Sequence, residues 1–179
     1  METPTRESVF AAAMLEQIDA LYSYAMTLSR DKTEAEDLVQ ETYLRAAKAA
    51  NQPAPDENLK AWLFTVMRNA WLNIRRHQRH GGRIFDHNAA GGAANDTTSN
   101  PHVVYLRKLE RELVREAIAS LPVRHQEVIV LRDIEGFSYH EIASVLDCPA
   151  GTVMSRLGRA RGKLRQALDA RQKVHRLYG

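Results

Sequence analysis

Ser155, Arg156, Arg159 and Arg161 fall close enough together that one helix would carry them on or beside its outward face. A guanidinium offers paired planar donors that match the acceptor edge of guanine or grip a phosphate, so these residue types at this spacing suit a DNA major groove. The residues upstream explain how such a helix would be held. Ser138 and Glu141 have the spacing of a capping box and start a helix that runs to about Leu146. Pro149 lacks an amide proton and has its φ pre-set, so a second helix opens at or next to it and continues through Leu157, Leu164 and Leu168. Only Asp147 and Cys148 separate the two. Ile142, Val145, Leu146, Val153 and Leu157 are apolar at helical spacing and form a small core, and Ala143 permits close approach. An isolated arginine run is usually a solvated basic face. Coupled to a capped first helix and a tight turn, it reads as a helix-turn-helix.

The elements that must carry this module are helical throughout. Phe10, Met14, Ile18, Leu21, Ala25 and Leu28 predict one long amphipathic helix from about Glu7 to Ser29. Thr33 and Glu36 form a second capping box, opening a helix to about Ala49 with Leu38, Val39, Thr42 and Ala46 inward. Asn51 to Pro55, with two prolines, is a loop. Asp56 is the expected cap of a third helix in which Leu59, Trp62, Leu63, Val66, Ala70 and Ile74 line one side and which ends in Arg75, Arg76, His77 and Arg79. From Gly81 to Pro101 the composition turns to Gly, Ala, Asn, Asp, Thr and Ser, which cannot bury enough surface to offset ordering, so a mobile linker is expected. Periodicity resumes at Leu106, Leu109, Leu113 and Ala117; Pro122 opens a helix through Val128, Ile129 and Leu131, with Gly136 as its C-terminal cap. No strand alternation and no internal repeat is visible. The expected class is all-α: two small helical domains, 1–80 and 104–179, joined by a flexible linker at 81–103, the second a helix-turn-helix.

Charge is distributed to match. The 179 residues carry a net +3, but residues 1–60 hold −5, 61–103 hold +3, 104–150 hold −2 and 151–179 hold +7. Two basic zones in an otherwise acidic chain fit two separate contacts with a phosphate backbone. With Cys148 as the single cysteine, no intramolecular disulfide can form and a zinc site built on several thiolates is excluded. The polar start of the chain lacks the apolar core of a signal peptide, and no run of eighteen apolar residues occurs, so a cytoplasmic protein without membrane insertion is expected.

Three stretches carry a family resemblance: Ala35-Glu36-Asp37-Leu38-Val39-Gln40-Glu41-Thr42, the segment from Ala61-Trp62-Leu63 to Arg68-Asn69, and the block from Leu121-Pro122 to Arg161. Together they resemble the extracytoplasmic-function group, group IV, of the sigma-70 family of bacterial sigma factors, in the family's order and spacing. The resemblance implies a factor that directs core RNA polymerase to promoters, is regulated by an anti-sigma factor, and has no catalytic residue, cofactor or metal. Asp37, Gln40, Glu41 and Leu44 share a face at i, i+3, i+4 and i+7, and by resemblance dock on the clamp of the polymerase's largest subunit. Asn69 matches the position that captures a flipped base of the minus-10 element, with Asn73 one turn later and Arg68, Arg75 and Arg76 near the strand backbone. Ser155 and Arg159 match readers of the minus-35 element, supported by Arg132, Thr152, Arg156 and Arg161. Gly158 departs from relatives, which often carry a larger side chain there, and leaves the base preference open. Trp62 reads as core rather than as a stacking platform.

Two other classes are weighed against this. A nucleic-acid enzyme would need converging metal ligands or an activated nucleophile; His77, His80 and His87 form the nearest approach, without acidic partners. A stand-alone regulator would use only the C-terminal helix-turn-helix, whose block also resembles the DNA-binding module of response regulators. Dependence on polymerase separates that reading from a sigma factor.

Overall fold

The structure, a computed structural model, describes residues 6–49, 52–53, 58–80 and 111–178. Among them every regular element is helical: α1 (Arg6–Leu15), α2 (Ile18–Ser29), α3 (Lys32–Lys48), α4 (Leu59–His80), α5 (residues 111–119), α6 (Val123–Ile129) with a π turn at Val130–Ile134, α7 (Tyr139–Leu146) and α8 (Ala150–Tyr178). The expected linker and Leu106 and Leu109 lie outside the described residues.

The N-terminal region differs from the sequence expectation in three ways. The long helix from Glu7 to Ser29 is two helices, because Gln17 N–H bonds to the Met14 carbonyl at 3.0 Å in a tight turn and takes φ −94°, ψ 2°. Tyr43 Oη also donates to that carbonyl at 2.7 Å, so the break is satisfied by the neighbouring helix. The turn sends α1 toward α4, where Phe10 meets Trp62 edge-on at 6.2 Å, and Ile18 is left 44 % exposed. Second, α3 is capped by Asp31 rather than Thr33. Arg30 closes α2 in the left-handed region at φ 60°, Asp31 is then extended, and its carboxylate accepts from Glu34 N–H at 2.9 Å. That places Thr33 inside the first turn, where it cannot cap. Third, Asp56 lies outside the described residues, and Asn58 Oδ1 accepts from Ala61 N–H at 3.1 Å at the start of α4.

Leu38, Val39, Thr42 and Ala46 of α3 are buried against α2 and α4, as their spacing predicts. Helix α4 buries more than one side. Leu63, Met67 and Ala70 fill the N-terminal core, while Phe64 and Trp71 are buried as well. The reason is a second packing partner: α4 lies against α7, and α2 against α6, so one hydrophobic core continues from the N-terminal helices into the C-terminal ones. Phe64 stacks on Tyr24 at 4.9 Å and meets Phe137 edge-on at 5.0 Å, bridging the two.

In the C-terminal region Pro122 precedes α6, and Gln126 Nε2 donates to the carbonyls of Ala119 and Leu121 at 2.8 and 2.6 Å, closing the α5–α6 turn. The helix then widens: Glu135 N–H reaches the Val130 carbonyl five residues back at 2.9 Å. Gly136, at φ +79°, reverses the chain, which only a residue without Cβ does at little cost. Phe137 N–H then bonds to the Leu131 carbonyl at 3.0 Å and its ring enters the core.

Candidate nucleic-acid interface

The helix-turn-helix is built as its spacing predicts. Ser138 Oγ accepts from Glu141 N–H at 3.2 Å while Ser138 N–H donates to Glu141 Oε2 at 2.7 Å, a complete capping box. These bonds hold the Glu141 carboxyl below the usual range, the Ser138 bonds contributing most. Asp147 ends α7 in the left-handed region at φ 47°, and Cys148 N–H returns to the Ala143 carbonyl at 3.1 Å. Ile142, Val145, Leu146, Val153 and Leu157 are buried between α7 and α8, which fixes the outward face of α8.

On that face Ser155 and Arg159 are exposed and linked: Arg159 Nε donates to the Ser155 carbonyl at 3.1 Å and a terminal nitrogen to Ser155 Oγ at 3.3 Å. Thr152, half-buried, receives the Ser155 hydroxyl proton at its carbonyl at 3.0 Å. Arg156 is half-buried and leans toward the Cys148 sulfur at 3.8 Å. Arg161 pairs with Asp133 through two nitrogens, Nε at 3.1 Å from Oδ2. Arg132 donates to the Phe137 carbonyl at 2.7 Å and covers the Tyr139 ring at 5.0 Å, so it braces the segment leading into α7. A Cβ built on exposed Gly158 meets nothing within 4 Å. His125 of α6 stands in the field of Lys163, Arg159 and Arg156, which together with burial, the larger effect, push its imidazole below the usual value. The cations of α8 therefore form one positive zone reaching α6.

The α4 residues do not all share one surface. Asn69 and Arg76 are exposed, Asn73 is half-buried, and the Arg75 guanidinium sits 5.4 Å from the centre of the Trp71 ring. Arg68 instead points to the C-terminal region, where Nε donates to Glu127 Oε1 at 3.1 Å and a terminal nitrogen reaches the Val145 carbonyl at 3.5 Å. On α3, Asp37, Gln40 and Leu44 are exposed, Leu44 by 55 %. Glu41 is half-buried and accepts from Arg45 Nε at 2.6 Å, one turn along the helix.

Sequence reasoning missed the polar residues between the two regions. Tyr24 Oη donates to the same Glu127 Oε1 at 3.3 Å, and burial, with the Glu127 charge second, pushes its phenol well above the usual value. Lys60 Nζ lies 2.8 Å from Glu135 Oε2 and over the Phe137 ring, Asn58 donates to Glu141, and Arg30 donates to the Leu121 carbonyl at 3.2 Å. One signal was present: Glu127 stands beside Val128 and Ile129 in an apolar stretch, and a carboxylate there needs a partner.

Residues 15–81 match the Sigma-70 region 2 family and residues 111–164 match Sigma-70, region 4. Over 159 residues the chain is 37 % identical to the ECF RNA polymerase sigma factor EcfG of Rhodopseudomonas palustris, covering 89 % of this chain and 82 % of that one. The chain belongs to the ECF RNA polymerase sigma factors. It is also 35 % identical over 157 residues to the RNA polymerase sigma factor CnrH of Cupriavidus metallidurans, 84 % of this chain and 82 % of that one. Among solved structures, this sigma factor is similar to RpoE of Bartonella quintana in complex with the anti-sigma factor NepR, with a TM-score of 0.71, 31 % identity, and 89 % and 96 % of the two chains covered. It is similar to CnrH in complex with the cytosolic domain of CnrY, with a TM-score of 0.61, 29 % identity, and 90 % and 88 % covered. Among the described residues no helix is long and apolar enough to cross a membrane, and no three His, Cys, Asp or Glu side chains cluster as metal ligands would.

Proposed function

We propose that this ECF sigma factor is a minimal, group IV member that acts in the cytoplasm as a specificity subunit without catalytic chemistry of its own. Residues 1–80 would supply polymerase binding and minus-10 reading, and residues 104–179 minus-35 reading. Asp37, Gln40, Glu41 and Leu44 dock on the clamp of the largest polymerase subunit; Asn69 and Asn73 read unstacked minus-10 bases while Arg68, Arg75 and Arg76 hold the strand backbone. Ser155 and Arg159 read the minus-35 edge, Thr152 and Arg156 flank them, and Arg132 and Arg161 brace the helix-turn-helix beside the groove. The observation that carries this reading is the exposed Ser155–Arg159 pair on the outward face of a capped, tightly turned helix-turn-helix. Complexes of the similar RpoE and CnrH with NepR and CnrY support regulation of this chain by a cognate anti-sigma factor. The test is in vitro transcription with core polymerase on a library of randomised promoters: enrichment of a two-part motif supports the reading, and transcripts independent of added chain refute it.

A further inference from the structure

We propose that Met154 reads the 5-methyl group of a thymine in the minus-35 element, an apolar contact beside the polar readout by Ser155 and Arg159. The inference rests on the proposed seat of α8 in the minus-35 major groove and names a further specificity residue there. Met154 is the fifth residue of α8, in the N-terminal part that a recognition helix presents to base edges. Val153 and Leu157 on either side of it are buried in the helix-turn-helix core, whereas Met154 is 53 % exposed. Among the described residues of α8, every other exposed one between 151 and 165 is a glycine, a serine or a cation, so Met154 is the apolar side chain that this surface offers.

The chemistry of the groove selects its ligand. Base edges there present acceptors and amino donors, and thymine adds a methyl group. A thioether on three rotatable bonds is a poor hydrogen-bond partner for those donors and packs readily on a methyl. The flank around it is open. Gly158 lies one turn on from Met154, and a Cβ built on it meets nothing within 4 Å, so no side chain crowds the thioether from that position. Arg161, two turns on, is turned to Asp133 at 3.1 Å. Met154 precedes Arg159 by five positions, about 7.5 Å along the helix at about 1.5 Å per residue, so the thymine lies roughly two base steps from the pair that Arg159 reads. Because the contact is apolar, it alters base preference without altering the salt slope, unlike a phosphate contact.

Uracil scanning tests this. Holoenzyme assembled from core polymerase and the full chain selects promoters from a randomised library. Each thymine of the minus-35 element, on either strand, is then replaced singly by deoxyuridine, which keeps the hydrogen-bonding edge and removes the methyl alone. The wild type should lose affinity about fourfold at one thymine, the factor for burying one methylene-sized group, with its salt slope unchanged. Met154→Ala should bind the thymine and uracil promoters equally, and Met154→Leu, which keeps an apolar side chain, should retain the discrimination. Both variants place a good helix former at an exposed helical position, and circular dichroism checks that they fold. Uracil insensitivity of the wild type at every position, undiminished discrimination by Met154→Ala, a minus-35 element without an A·T pair, or a sensitive thymine at the far end of the element from the position relaxed by Arg159→Ala overturns the proposal. If the chain selects DNA by itself and directs no transcription with core polymerase, the proposed function fails, while the same scan on that DNA still decides the methyl contact. Failure to select any DNA in either form overturns both.

Discussion

Arg159 reaches across one turn to Ser155 on the exposed side of α8, and the two present a donor fork and a hydroxyl to the same surface. A bidentate contact to a base edge discriminates by about 1–3 kcal/mol, so Arg159→Ala should relax preference at one or two minus-35 positions as well as lower transcription. Arg165, exposed and further from the turn, should touch phosphate only. Its alanine variant should weaken all promoters nearly equally and reduce the salt slope by about one contact. A panel of single-base minus-35 substitutions checks both, and a uniform loss with Arg159→Ala would contradict base reading. Gly158 belongs to the same surface. Its missing side chain would meet open space, so Gly158→Ala should raise stability by about 0.5–1 kcal/mol in denaturant unfolding, and a simultaneous fall in promoter affinity would reveal close approach of the backbone to DNA.

At the scale of elements, α7 depends on its cap. Ser138→Ala should cost about 0.5–2 kcal/mol of stability, measured by denaturant midpoint. The paired carboxyl adds a pH dependence: the folded state holds Glu141 below its ordinary 4.5, so the group's stabilisation is present above that value and fades as pH falls through the depressed one. Wild type minus Glu141→Gln in melting temperature should therefore shrink below pH 4.5, and a constant difference would contradict it. For α3, the Asp37→Arg, Glu41→Arg double change should abolish core-polymerase binding in a pull-down with helicity retained, since Asp37 is exposed, half-buried Glu41 pairs with Arg45 along its own helix, and surface charges of this kind seldom alter stability by more than about 0.5 kcal/mol. The helix-turn-helix was legible because Ser138, Glu141, Pro149 and the apolar spacing are local signals. The break at Gln17 and the π turn before Gly136 were not, since each depends on a partner distant in sequence or on backbone bonds that leave no residue pattern: Tyr43 reaching Met14, and Glu135 reaching Val130. The resemblance puts Arg68 near the minus-10 strand, and in the structure Glu127, 59 residues away, pairs with it instead.

At the scale of the molecule, two regions that each read as a small domain share one core through α2–α6 and α4–α7. Composition could not foresee this, because the joint uses Phe64 and Phe137, residues that either region could have buried within itself. A shared core should make unfolding cooperative across both regions. Trp62 and Trp71 both lie on α4 and report the N-terminal region, whereas far-ultraviolet dichroism reports all helices. In the wild type the two signals should melt together. Phe64 is fully buried and touches a ring on each side, so Phe64→Ala should cost about 3–5 kcal/mol and remove the bridge. Its tryptophan transition should then move to lower temperature and separate from the dichroism of the C-terminal helices. Separate transitions in the wild type, or a single one shifted intact in Phe64→Ala, would show that the regions are not coupled through this ring.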